Sequence, residues 1–393
     1  VKLRGAAAAL ALVACGGEAV DDAPARYLHD AAYRRAALVD SLATRDNAYA
    51  RLRLARYDSG DARDWSLLPV WSPPLALRDG DVPAPLTVSA EASAGDVAAL
   101  RDLGERAFWR YPAMLLSPAA EATLRDPSTH ARYGFRAPTT RGGDLVRVTF
   151  PDGTVGLALT CAACHSNAAR VAGLANVDLD LGALAVESNV TLDAAQVGRL
   201  RAWGRGRVDV STDDGSEALA MPDLRAVRYQ THLNRAGAVR ARSLVSLAVR
   251  VETLLITSHH ETVRPPRELA LGLAVYLYGL GEPLVHDAPQ GRGAAVFAAR
   301  CGRCHAGDGF AGALVTPEDA DTEAWVARSP ARGTGAYRVP SLRGVGARER
   351  LLHDASVTDI GALLDPARAG WHRVGWGLTD DDRAALTDFL RAL

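Results

Sequence analysis

The pentapeptide Cys161-Ala162-Ala163-Cys164-His165 returns in kind as Cys301-Gly302-Arg303-Cys304-His305. Two cysteines and a histidine within five positions admit three chemistries: a thiol redox pair, half of a zinc site, or an attachment site for c-type haem. Each needs a different setting, so the rest of the chain has to decide between them.

A redox pair of the thioredoxin kind belongs at the start of a helix in a βαβ setting, and it has no use for a following histidine. Zinc needs four ligands, which Cys161, Cys164, Cys301 and Cys304 could supply together. The histidine after each pair would then be coincidence, and the pairs lie far apart in the chain. Haem attachment uses every member of both motifs. The two thiols form thioethers with the vinyl groups, and the adjacent histidine becomes the proximal iron ligand. On this reading the cofactors are two covalent c-type haems, with His165 and His305 as proximal ligands.

The start of the chain bears on the compartment. Lys2 and Arg4 precede an apolar run, residues 5–14, that is too short to span a bilayer. It ends in Leu12-Val13-Ala14-Cys15, which resembles a bacterial lipobox. Residues 1–14 are therefore expected to be a lipoprotein-type signal peptide, with Cys15 lipidated. That places the protein in the periplasm or at the outer membrane, held to a membrane by lipid alone. Haem of the c type is attached outside the cytoplasm, in agreement. With Cys15 so used, the other four of the five cysteines form the two motifs, and none is left for a structural disulfide. A formal net charge of −1 gives no reason to expect nucleic acid as a partner.

Helical periodicity divides the chain. Residues 15–94 form an N-terminal extension, with helix over 26–56 and a Pro-, Gly- and Asp-rich linker containing Trp65 and Trp71. Residues 95–285 read as a first haem domain. It opens with a helix over 95–111, continues through a hairpin turning at Pro151-Asp152-Gly153, and closes with an apolar helix over 267–280. Residues 286–393 read as a second, with helices over 290–300 and 379–393. Each copy runs helix, C-x-x-C-H, irregular chain, closing helix. The expected fold is mainly α: two cytochrome c-type domains, each with a covalently bound haem, plus the helical extension.

The second axial position is less constrained. Methionine is the usual distal ligand in electron carriers. The only methionines, Met114 and Met221, lie far from the second motif, after which the histidines are His353 and His372.

The stretch "YRVPSLRGVGARERLLHDAS" (337–356) resembles the segment following the second haem in bacterial di-haem cytochrome c peroxidases. Their relatives include the methylamine-utilisation di-haem enzyme and the rubber oxygenases. "AGWHRVGWGLTDDDRAALTDFLRAL" resembles the ending of the rubber-oxygenase-like branch. The resemblance covers roughly 95–393. It implies that His372 is the distal ligand of the second haem, with His353 nearby as the alternative. It implies that Trp203, in "RAWGRGR", relays electrons between the haems, and that an acid such as Glu217 or Asp223 serves peroxide chemistry. Family members can carry calcium between the haems. A small cytochrome or cupredoxin would donate electrons.

The chain also departs from that family. Asp354-Ala355-Ser356 replaces Asp-Gly-Ser, and "SNAARVAGLANVDLDLGAL" lacks the histidine that closes the first haem in the peroxidases. The first haem is thus expected to be five-coordinate, with His232 a weak distal candidate, and to meet hydrogen peroxide or oxygen. Reduction of peroxide, electron carriage without catalysis, and oxygenation of an organic substrate all remain compatible with these residues.

Overall fold

The computed structural model describes residues 23–60, 86–149, 153–209, 218–258 and 264–393. The signal segment, Cys15, Trp65, Trp71, Pro151-Asp152 at the tip of the expected hairpin, and Glu217 lie outside the described residues. Helix outweighs strand, 44% against 9%, so the chain is mainly α as expected.

The expected helix over 26–56 is three helices: α1 (Ala23–His29), α2 (Ala31–Ser41) and α3 (Ala48–Gly60). Asp30 breaks the run because its carboxylate accepts the Tyr33 backbone N–H at 2.9 Å and caps a new helix. Leu42 then leaves α2 in extended conformation and bridges to Val239.

After the short α4 (Ala90–Ser93), Asp96 caps α5 (Val97–Arg110), whose chain ends at Pro112. The stretch between α5 and the hairpin holds β1 (Met114–Leu115) and α6 (Pro118–Thr123). The hairpin follows as β2 (Leu145–Thr149) and β3 (Val155–Leu159), antiparallel with Leu145 opposite Leu159, and β1 adds to the outer side of β3. The first motif is itself a short helix, α7 (Cys161–His165). Beyond it come α8 (Leu181–Ser188), α9 (Ala194–Trp203) and two small ribbons. The ribbons pair β4 (Arg207–Val208) with β5 (Leu219–Ala220), and β6 (His232–Leu233) with β7 (Val239–Arg240). The chain then enters α10 (Leu244–Ser258) and α11 (Arg267–Gly279). The last part contains α12 (Arg292–Arg300), α13 (Ile360–Leu363) and α14 (Asp380–Arg391), the last capped by Thr379.

Two helix crossings organise the core, and they are copies of each other. In the first, α5 meets α11 so closely that a Cβ on Gly104 would lie 1.9 Å from the Gly272 carbonyl oxygen. Four residues on, Phe108 meets Tyr276 with ring centroids 5.6 Å apart. In the second, α12 meets α14: a Cβ on Gly293 would lie 2.3 Å from the Ala385 carbonyl oxygen, and Phe297 meets Phe389 at 5.0 Å. Both crossings use Gly-x-x-x-Phe on one helix and a small residue followed at the fourth position by an aromatic on the other. Small residues let the backbones touch, and the ring one turn further on fills the groove that opens beside them.

The N-terminal helices are fastened to α10 by buried charge. Glu252, fully buried, accepts from the Tyr27 hydroxyl at 2.9 Å and from Arg264 at 3.1 Å. Arg53 donates to the Thr253 carbonyl and to the Thr257 hydroxyl.

Candidate functional site

The two motifs share their local structure as well as their sequence. Five residues after each histidine the backbone turns left-handed, at Arg170 (φ 59°) and at Phe310 (φ 46°). Each loop closes on itself by one bridge, Ser166 to Ala172 and Ala306 to Ala311. Each histidine ring is then held by a carbonyl on Nδ1. For His165 the acceptor is Pro222, at 3.1 Å. For His305 it is Phe310, at 3.1 Å, and the Pro340 carbonyl acts on the ring as well. Pro340-Ser341-Leu342-Arg343 stands out in the sequence through its family resemblance, whereas its counterpart, Pro222-Asp223-Leu224-Arg225, does not. A shared P-x-L-R is too short to be noticed in one sequence. Its meaning appears only when both prolines reach the histidine of their own motif.

Burial lowers both imidazoles to about 4, against the smaller opposing pull of their carbonyl partners. Neutral rings with Nδ1 committed are the form in which histidine offers Nε2 to a metal. The thiols are shifted the other way. Burial pushes Cys161 and Cys164 up to about 12 and Cys301 up to about 11. A working redox pair needs a depressed thiol pKa, so this setting disfavours that chemistry. Among the described residues no three His, Cys, Asp or Glu side chains converge on a common ion position. The four cysteines therefore do not form the tetrahedral cluster that zinc would require.

The second motif opens onto a cavity with about 1450 Å³ of empty space, part of it shared with solvent. Its walls come from both halves of the chain, with Leu174, Met221 and Gln230 on one side and His305, Val339 and His372 on the other. His372, in left-handed backbone (φ 58°), has its Nδ1 at 3.0 Å from the Ala320 carbonyl oxygen. It lies close enough to His305 to depress that ring's basicity further. His353 also lines the cavity, but its Nε2 is 2.7 Å from Glu323 Oε1, which accepts from the Tyr337 hydroxyl at 2.7 Å. Of the two histidines, His372 keeps Nε2 for a ligand and His353 has spent it.

The cavity also holds buried polar atoms without a protein partner, Gln230 Oε1 and Arg338 Nε. Apolar walls, the neutral His305 ring facing the same cavity as His372, a neighbouring thiol on Cys304 and orphaned polar atoms together fit a c-type haem.

Other expected residues fall elsewhere. Trp203 ends α9, half-buried against the cluster that includes Met221 and Cys164, and does not line the cavity. His232 sits on β6 with its Nδ1 3.1 Å from the Thr231 hydroxyl. Asp223 is buried and accepts from Arg225 at 2.8 Å and from Arg348 at 3.0 Å. Burial alone would raise its carboxyl, but the two arginines more than offset that and hold it below its ordinary value. It is held as a carboxylate that links the halves.

The first motif is braced by an inserted scaffold. Arg136 donates to the carbonyls of Ala162, Ser166 and Asn167 at the end of α7, and pairs with the buried Asp144, which also binds Arg170. A cation on the last carbonyls of a helix suits its negative end.

No family model matches the chain, and no curated protein is significantly similar to it.

Proposed function

We propose that the chain is an exported di-haem c-type cytochrome acting as an oxidoreductase. In this reading Cys161, Cys164, Cys301 and Cys304 would hold the haems covalently, and His165, His305 and His372 would be the iron-ligating histidines. When bound, such haems supply one-electron storage and transfer, and a haem with an open axial position supplies a site for reducing hydrogen peroxide or activating oxygen. The observation that supports it most is the pairing of His305 and His372 on one cavity, each ring fixed through Nδ1. No second histidine among the described residues acts on the His165 ring in the way His372 acts on that of His305. This favours a division of labour, with electrons stored at the C-terminal centre and the oxidant met at the N-terminal one.

The residues do ordinary work in this scheme. Pro222, Phe310 and Ala320 orient the rings, Glu323 and Tyr337 hold His353 in the wall, and the apolar lining limits water. A small cytochrome or cupredoxin would be the electron donor, and a lipid on Cys15 the anchor at the periplasmic face of a membrane.

A pyridine haemochrome assay should give two c-type haems per chain, falling to one in Cys301→Ser/Cys304→Ser. Fewer than two in the parent overturns the reading. Low-spin signals from both centres in every redox state, without peroxide turnover, would leave an electron carrier. Oxygen uptake with an organic substrate would instead make it an oxygenase.

A further inference from the structure

Four arginines line the same cavity as His305 and His372: Arg350 is exposed, and Arg235, Arg338 and Arg348 are partly buried. Their commitments differ. Arg348 is saturated: it donates to Asp223 at 3.0 Å and to the Ser341 carbonyl at 2.8 Å. Arg235 gives one bond from its guanidinium, to the Ala220 carbonyl at 3.0 Å. The Arg338 guanidinium has no hydrogen-bond or ion-pair partner among the described residues, and its Nε is a buried orphan. Arg338 is nevertheless pinned beside Arg235, since its backbone N–H donates to the Arg235 carbonyl at 2.9 Å.

The wall offers no carboxylate to satisfy them. Asp223 is taken by Arg225 and Arg348, Asp319 by Arg303, and Glu349 by Asn167. Burial, reinforced by the neighbouring guanidinium groups, lowers Arg338 to about 9 and, against the opposing pull of Asp354, Arg235 to about 10, so that Arg338 is the one with no carboxylate acting on it. Buried charge without a counter-ion is costly, and a guanidinium fork is the side chain best matched to a carboxylate.

We propose that Arg338 and Arg235 form a carboxylate clamp in the cavity wall, and that its occupants are the propionate side chains of the macrocycle. The proposal rests on the haem reading above. Arg338 takes the carboxylate for which it has no internal partner, and Arg235 adds a second cation to the same wall. The clamp fixes the macrocycle's rotation about the His305–His372 axis and places positive charge beside the C-terminal iron, raising its reduction potential.

The test uses the loaded protein, with haem counted first. If the parent carries fewer than two haems, the reading and the clamp fall together. With two haems present, resonance Raman of Arg338→Gln should show the propionate-bending band moved to lower frequency with axial-ligand markers unchanged. The midpoint potential of the C-terminal haem alone should fall, and Arg338→Lys should recover part of both. Arg235→Gln gives a second, milder variant should Arg338→Gln load poorly. Two haems with unchanged propionate bands and potentials in both glutamine variants would overturn the clamp and leave the haem reading standing. A formate titration covers the other carboxylate source. Saturable binding to the parent, lost in Arg338→Gln with propionate bands unmoved, would assign the site to a free acid and overturn the macrocycle assignment.

Discussion

His353 and His372 show how far a single side chain can be read. Both follow the second motif and both face one cavity, yet only one is chemically available. His353 gives its Nε2 to Glu323 at 2.7 Å, whereas the His372 ring is turned by the Ala320 carbonyl so that Nε2 stays open. His372→Ala is therefore expected to turn the C-terminal haem high-spin, read by electron paramagnetic resonance, while His353→Ala leaves it low-spin. The second change should instead cost about 1–3 kcal/mol of stability, because it strips a partner from the half-buried Glu323 carboxylate. Both candidates are visible in the sequence, and the preference for His372 comes there from a resemblance. The hydrogen bond that separates them joins His353 to a residue well before it in the chain and has no local signature.

At the scale of elements, glycines in different helices make opposite predictions. Gly104→Ala drives a methyl into the Gly272 carbonyl, so α5 and α11 must part. We expect a loss of about 3 kcal/mol, seen as a lower midpoint in chemical denaturation. Gly198, in α9, is exposed, and nothing lies within 4 Å of where an added methyl would sit. Gly198→Ala should therefore stabilise by about 0.5–1 kcal/mol, as removal of a flexible residue from a helix interior does. The closing helices were legible because their apolar spacing is strong and their caps, such as Thr379, are sharp. The N-terminal helices were legible as helix but not as three. One aspartate, at position 30, competes for the backbone within an otherwise continuous pattern. The two cysteine motifs stand out in the sequence by their spacing and following histidines. The matching prolines and the pair of wall arginines do not, because they depend on segments 220–235 and 338–353 meeting in space.

Across the whole molecule, Asp223 is one of the charges that join the halves. Its partners Arg225 and Arg348 come from either side, and Arg225 also donates to the Gly344 carbonyl at 2.9 Å. Asp223→Asn leaves two mostly buried guanidinium groups short of a partner and should cost about 3 kcal/mol at neutral pH. The pH dependence has a definite sign. A carboxyl held below its unfolded value of 3.8 contributes fully above that pH, and its contribution fades as pH falls through the depressed folded value. Denaturation midpoints followed from about pH 7 to about pH 2 should show the parent losing this part below about pH 3.8. The Asn variant, already without it, should have a correspondingly shallower acid limb.

The shared wall also imposes an order of events. A cavity whose sides come from distant parts of the chain exists only once those parts have docked. On the proposed reading, a haem bonded covalently to one side would be loaded before the other side docks over it, so that docking rather than attachment would complete its cavity.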